Sequence, residues 1–239
     1  MTEYHERFYR GWQAPEGLVT FQVKEAQSDL FIAAERDLAD VALTALREAR
    51  RQVEELGNSF PAFLTSLEPL ELPQRAPHLC RRMAKAASLC GVGPMAAVAG
   101  AIAEEVALAL LPHSSAVIVE NGGDIYARVN RPLRLLLYAG KDAPAVPLVV
   151  EALPEGAGIA TSSATIGPSL SLGAAQAATV LADNAALADA CATALANRIS
   201  RPQDLSTAVE WALSVPGVRA AAAVCAGKTA LGGRGMLLG

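Results

Sequence analysis

Asp189 and Thr193 stand four residues apart in the alanine-rich end of the stretch TSSATIGPSLSLGAAQAATVLADNAALADACATALAN, residues 161–197. On a helix of 3.6 residues per turn their oxygens project from one face, stacked a turn apart. A carboxylate and a hydroxyl so placed offer hard oxygens to Mg2+, which usually keeps water and phosphate oxygens as well. The plain alternative is a solvated acid and a threonine packed among alanines. The same stretch opens in a hydroxyl cluster, Thr161, Ser162, Ser163 and Thr165. These groups can hydrogen-bond a ligand or orient a neighbouring carboxylate. No histidine lies near them to activate a nucleophile.

Two further stretches carry chemistry. Residues 117–126, VIVENGGDIY, are an apolar run ending in Asn121, Gly122, Gly123 and Asp124. Paired glycines at a strand end permit positive φ and let a ligand approach the backbone. Asn-Gly between apolar residues is equally a strong hairpin signal, and both readings can hold together. Gly91, Val92, Gly93, Pro94 and Met95 form a turn feeding an Ala/Val-rich helix. The start of such a helix presents free N–H groups and partial positive charge, a seat for phosphate.

Together these stretches resemble the ApbE-like superfamily, best known for flavin transferases. Its motifs include an apolar strand ending in Gly-Gly-Asp, a Thr-Ser-Gly stretch and a late Ala-Asp-Ala-x-x-Thr-Ala helix. Here they read Gly122-Gly123-Asp124, Thr161-Ser162-Ser163 and Ala188 to Ala194, in the same order. The VGPMAAVAG and ENGGD wording looks closest to one prokaryotic branch of that superfamily. The resemblance covers roughly residues 85–200. It implies an α+β fold, mostly antiparallel sheet with packed helices, and transfer of a flavin mononucleotide from FAD to a protein acceptor with Mg2+. Asp189, Thr193 and a carbonyl near Ala97 would hold the metal. Gly91, Gly93, Met95, Asn121, Gly122, Gly123, Asp124, Thr161 and Ser162 would line the nucleotide. Catalytic candidates are Asp124, Thr161, Ser162 and Ser163. Two departures stand out: the flavin transferases carry a Lys-Gly pair where Ala99-Gly100 stands, and a histidine where Pro168 falls.

The elements that must position these residues follow from pattern. With 239 residues, 52% of them hydrophobic and 18% charged, the chain is expected to form one globular domain, 1–239. A net charge of −4 and 5% aromatics argue against nucleic acid as a partner. Cys80, Cys90, Cys191 and Cys225 form no CxxC pair, which favours free thiols. The polar opening MTEYHERFYRGW is no signal peptide, and the run around 95–111 is too short and charged to span a bilayer. A soluble, cytoplasmic protein is expected.

Residues 4–13 alternate like an edge strand, and 18–23 with 30–33 read as a hairpin. Asp37 is placed to cap a helix running to about Leu56, where Gly57-Asn58 reads as a stop. The Pro-rich segment 58–77 carries Phe60, Phe63 and Leu64, apolar residues that need cover from this chain or from a second copy; a homo-oligomer is expected. A basic helix with Arg81, Arg82 and Lys85 follows, then the helix 95–110. Strands are expected at 116–120, 125–129, 133–138 and 148–152, a short helix at 203–213, and a last hairpin from 218. Three functions remain open: a metal-dependent flavin-nucleotide transferase or pyrophosphate-cleaving enzyme, a cofactor-binding carrier without turnover, and a structural role.

Overall fold

The structure is a computed structural model that describes residues 16–137, 145–162 and 173–239. The edge strand expected at 4–13, together with Ser163, Thr165 and Pro168, lies outside the described residues.

An eight-stranded sheet, antiparallel at every pairing, organises the chain. It opens with the expected hairpin, β1 (Val19–Glu25) and β2 (Ser28–Ala34). It continues through β3 (Val117–Asn121), β4 (Asp124–Val129), β7 (Leu153–Ser162), β8 (Ala177–Ala182), β9 (Val218–Cys225) and β10 (Lys228–Gly233). A second sheet takes β5 (Leu133–Leu137), β6 (Val146–Val150) and β11 (Met236–Leu238). Six α-helices are described: α1 (Ala39–Ser59), α2 (Ala62–Thr65), α3 (His78–Cys90), α4 (Val98–Leu110), α5 (Ala185–Asn197) and α6 (Leu205–Ser214). The fold is therefore α+β with mostly antiparallel sheet.

Side-chain alternation assigns the layers. Val119, Tyr126, Ala160 and Val180 bury against the helices, whereas Ile118, Ile125, Ile159 and Leu181 bury on the other face. That other face is covered by Leu133, Leu148, Val150 and Met236 of the small sheet. The core thus lies on both sides of the large sheet.

Several boundaries differ from the sequence expectation for identifiable reasons. Asp37 does cap α1, its Oδ1 accepting from Ala39 N–H at 2.9 Å, but the helix runs through Gly57 and Asn58 to Ser59. Gly57 is a packing site rather than a stop: a Cβ there would sit 2.6 Å from Leu64 Cδ1. The helix expected from Met95 begins as a 3-10 turn, Pro94–Ala97, before α4. Strands β7 and β8 lie outside the strands expected from the sequence. Their Gly and Ala content has low strand propensity, and tertiary packing overrides it. At Gly158 a Cβ would meet Ala185 Cα at 2.2 Å, so the start of α5 rests directly on the backbone of β7.

No single described helix is long and apolar enough to cross a bilayer; α3 and the 94–110 run qualify only as a pair bent by 104°. Both helices bury much of their surface in the helix-side core.

Gly158→Ala should lower stability by about 1–3 kcal/mol, because overpacking against backbone cannot be relieved by a rotamer change. Urea unfolding with an unchanged slope checks this; wild-type stability would show that α5 has room to move off β7.

Candidate functional site

The site forms where α5 crosses α4 above the β3–β4 turn. Asn184 starts α5 with extended backbone, and its Oδ1 accepts from Leu187 N–H at 2.9 Å, an ordinary side-chain N-cap. Asp189, just over a turn inside α5, reaches across to the first turn of α4. Its Oδ2 accepts from Gly100 N–H at 2.9 Å, with Ala99 N–H as a second donor. Asp189 thereby caps a neighbouring helix. The reverse contact also exists: Glu104 of α4 accepts from Ala185 N–H, the first amide of α5, at 2.9 Å. Gly100 makes the crossing possible, since a Cβ there would lie 2.2 Å from Ala185 O and 2.9 Å from Asp189 Cβ.

The β3–β4 turn brings the second carboxylate. Gly122 and Gly123 have φ of 71° and 105°, which the two-residue hairpin turn between Asn121 and Asp124 demands. Glu120 is 3% exposed, and its Oε1 accepts from Gly123 N–H at 2.8 Å, fixing the turn. Asn121 Nδ2 donates to Ala99 O at 3.1 Å and ties the turn to α4. Asp124 shares the helix-facing side of β4 with Tyr126 and accepts from the Thr161 backbone N–H.

Asp189 lies close enough to Asp124 for its charge to oppose the ionisation of Asp124. Burial first, then the Asp189 charge, then that of Glu120, push the Asp124 carboxyl well above its usual range. Burial raises Asp189 to about 7 against the opposing hydrogen bonds from Gly100 and Ala99. Both residues are nonetheless only partly buried as whole residues. No basic side chain is among the causes acting on either acid. Two carboxylates held together without a compensating cation are costly in the ionised state.

The other sequence candidates distribute as follows. Thr193 is half-buried on α5, one turn beyond Asp189, and Ala97 is fully buried in the 3-10 turn beside α5. Met95 is part-buried in that same turn. Gly91 is the left-handed cap of α3 with φ of 70°. Gly93 meets the Pro-rich segment so tightly that a Cβ would lie 1.8 Å from Ser66 O. Ser162 is buried on the helix-facing side of β7. The Thr161 hydroxyl instead hydrogen-bonds Thr179 Oγ1 at 2.8 Å, from the opposite side of the sheet to Asp124.

The phosphate seat expected at the start of α4 is altered, because Asp189 already occupies the amides of Ala99 and Gly100. Arg82 is likewise engaged: it lies 2.7 Å from Glu104 and 3.1 Å from Glu105. Arg81 donates to Ala76 O at 2.7 Å and, with Lys85, lines a hollow of about 240 Å³ beside Leu70 and Leu72. A second hollow of about 290 Å³ lies between Leu153, Arg219 and Arg234. Neither includes Asp124 or Asp189, so charge and hydrogen bonding, not cavity volume, single out this site. Glu104 and Glu120 were not picked from the sequence as site residues, and Arg82, read there as part of a basic cluster for phosphate, is instead paired with Glu104 and Glu105. An acid inside an Ala/Val helix and another at the end of an apolar strand were the available signals, since such acids need partners.

This arrangement, an antiparallel α+β fold with paired acids where a Gly-Gly-Asp turn meets an alanine-rich helix, defines an ApbE-like protein. The chain belongs to the family described as AbpE bacteria, which matches residues 10–231. It is 38% identical over 220 residues to a UPF0280 protein of Methanocella arvoryzae, covering 90% of this chain and 87% of the relative. A UPF0280 protein of Methanosphaerula palustris is 42% identical over 212 residues, covering 87% of each chain. Among solved structures, the flavin transferase ApbE from Vibrio cholerae superimposes with a TM-score of 0.59 at 14% identity, covering 92% of this chain and 97% of that one. The Pseudomonas stutzeri flavinyl transferase ApbE, apo form, gives 0.57 at 13% identity, covering 90% and 94%. At such identities the likeness is one of fold.

The raised acids set a pH dependence. Unfolded aspartate titrates near 3.8, so in the fold the protonated form is favoured, and this stabilisation is lost as pH rises towards about 7. Without divalent cation, Asp189→Asn should melt with the wild type near pH 4 and above it near pH 8, since the amide keeps an acceptor but no charge. Thermal melts across that range check this; a wild type that stays more stable at high pH would show the Asp189 carboxylate to be already compensated.

Proposed function

We propose that Asp189, with the Thr193 hydroxyl and the Ala97 carbonyl, holds Mg2+ together with the diphosphate of a flavin nucleotide such as FAD. The protein would act as a metal-dependent flavin-nucleotide transferase or pyrophosphate-cleaving enzyme, with a protein as acceptor in the transfer case. The supporting observation is the uncompensated Asp124–Asp189 pair. Carboxylate, hydroxyl and carbonyl are hard donors suited to this ion. Among the described residues no three His, Cys, Asp or Glu side chains gather as a metal cage. A site of this kind leaves coordination positions for ligand phosphates, which is how Mg2+ is usually bound. When bound, the cation supplies Lewis-acid stabilisation of a pyrophosphate leaving group.

The chain's own residues then have distinct tasks. Asp189 holds charge at a fixed point because two α4 amides bond its carboxylate, that of Gly100 on Oδ2. Asp124 adds a second negative charge beside it, oriented by the Thr161 N–H. Gly122 and Gly123 leave the turn without side chains next to that charge, so a ligand can lie against the backbone. Ser162 adds a buried hydroxyl on the same side of the sheet. The ApbE likeness favours a flavin nucleotide over other diphosphates.

A second reading, a carrier that binds the nucleotide without turnover, is favoured by Ala99 and Pro168 at positions where flavin transferases carry lysine and histidine. Calorimetry with FAD, with and without Mg2+, combined with chromatographic detection of released AMP, separates the readings. Binding should require Mg2+ and weaken at least about tenfold in Asp189→Asn, because the charge that holds the cation is gone. Steady AMP release identifies the enzyme, and tight binding without AMP identifies the carrier. Equal binding by wild type and Asp189→Asn would remove Asp189 from the metal role. The expected homo-oligomer draws support from exposed Leu64 and Leu67 on the Pro-rich segment, and light scattering of a monomer at micromolar concentration would overturn it.

A further inference from the structure

The hollow of about 290 Å³ lies where the ends of β8 and β9 meet the start of β7 and the link into β11. Its floor, Leu153 and Leu181, belongs to the core on the far side of the large sheet from the helices. Backbone bonds fix the walls: Glu151 N–H donates to Gly235 O and Arg234 N–H to Arg219 O, each at 2.9 Å. The β8–β9 register slips at this point. Leu181 pairs with Ala220 but Ala182 with Val218, which leaves Arg219 opposite no partner. Such a bulge re-aims the side chain of its extra residue. Asp183 Oδ1 accepts from Arg219 Nε at 2.7 Å and anchors the guanidinium at the rim. Gly235 has φ of 81°, and a Cβ there would lie 3.3 Å from Leu181 Cδ2 and 3.9 Å from Glu151 Oε2. The Glu151 carboxylate therefore stands beside this glycine, at the edge of the apolar floor.

Charge around the hollow divides in two. Arg219 is met by Asp183, whereas Arg234 and Glu151 form no ion pair among the described residues. One cation and one anion thus flank an apolar floor without neutralising each other. From this geometry we propose that the hollow binds a free α-amino acid with an apolar side chain. The ligand carboxylate lies on the guanidinium groups of Arg234 and Arg219, whose planar forks match it. The ligand ammonium faces Glu151, and the ligand side chain covers Leu153 and Leu181. A phosphate or simple carboxylate would meet the same arginines but also the Glu151 charge, so a zwitterion is preferred. The volume stands at the small end of ligand sites, roughly 300–1,000 Å³, which suits one amino acid and not a dinucleotide. Asp124 lies on the helix-facing side of the sheet, so this second site is separate and stands whether or not the flavin reading holds.

Calorimetry of the purified full chain against the common L-amino acids, one at a time at millimolar concentration, tests this, with amide NMR to locate the site. The expected result is saturable binding, tighter for leucine, isoleucine, valine or methionine than for aspartate or lysine. Amide shifts should centre on Leu153, Arg234 and Gly235. The leucine analogues 4-methylpentanoate and 3-methylbutylamine, each with one of the two charges, should bind at least about tenfold more weakly, as should inorganic phosphate. Arg234→Gln and Glu151→Gln change exposed side chains, so both should fold normally and bind about tenfold more weakly. No saturable binding of any amino acid, phosphate or 4-methylpentanoate binding as tightly as leucine, shifts centred elsewhere, or wild-type affinity in either variant would each overturn the proposal.

Discussion

Helices α4 and α5 cap each other. Asp189 of α5 satisfies the first-turn amides of α4, and Glu104 of α4 satisfies the first amide of α5, the bonds from Gly100 and Ala185 each measuring 2.9 Å. Helix N-termini buried in a core need such acceptors, because their amides have no partner within the helix. Charged acceptors also complement the partial positive charge at that end. Gly100 and Gly158 allow the contact by omitting side chains where α5 touches α4 and β7. This clamp fixes the position of Asp189 relative to the sheet, and with it the whole site.

The clamp also defines what the site lacks. The Asp189 carboxylate is engaged by α4, and the amides that would otherwise attract a phosphate are used. Asp124, delivered by the Gly122–Gly123 turn, then adds negative charge rather than relief. Arg82 of α3 is paired with Glu104 and Glu105 instead. A phosphate approaching these acids alone would be repelled. A cation held at Asp189, as proposed, would turn the same arrangement into a binding site, which is why metal and nucleotide are coupled in this account.

The sequence showed the hairpin at 19–34, the long first helix and the Gly-Gly-Asp turn, because each carries a local signal: period-two alternation, a capping aspartate, or paired glycines. The neighbourhood of Asp124 and Asp189 was legible only through motif resemblance, since they are distant in sequence and meet through tertiary packing. Strands β7 and β8 were hidden because Gly158 and the alanines of β8 are chosen for close approach rather than strand propensity. The Thr161 hydroxyl illustrates another limit. Adjacent strand residues point to opposite faces, so a hydroxyl cluster in sequence splits across the sheet, with Thr161 on Thr179 and Ser162 facing the helices. Glu104 gave a signal, an acid in an apolar helix, but its partner Ala185 could not be read from spacing.

The most direct test of the central claim is anomalous diffraction from crystals grown with FAD and Mn2+, an oxygen-preferring stand-in for Mg2+. The account predicts a single strong peak bonded to Asp189, Thr193 and the Ala97 carbonyl, with nucleotide phosphate oxygens completing the coordination and Asp124 nearby. Nucleotide bound with no metal at Asp189, or metal bound only elsewhere on the surface, would contradict it.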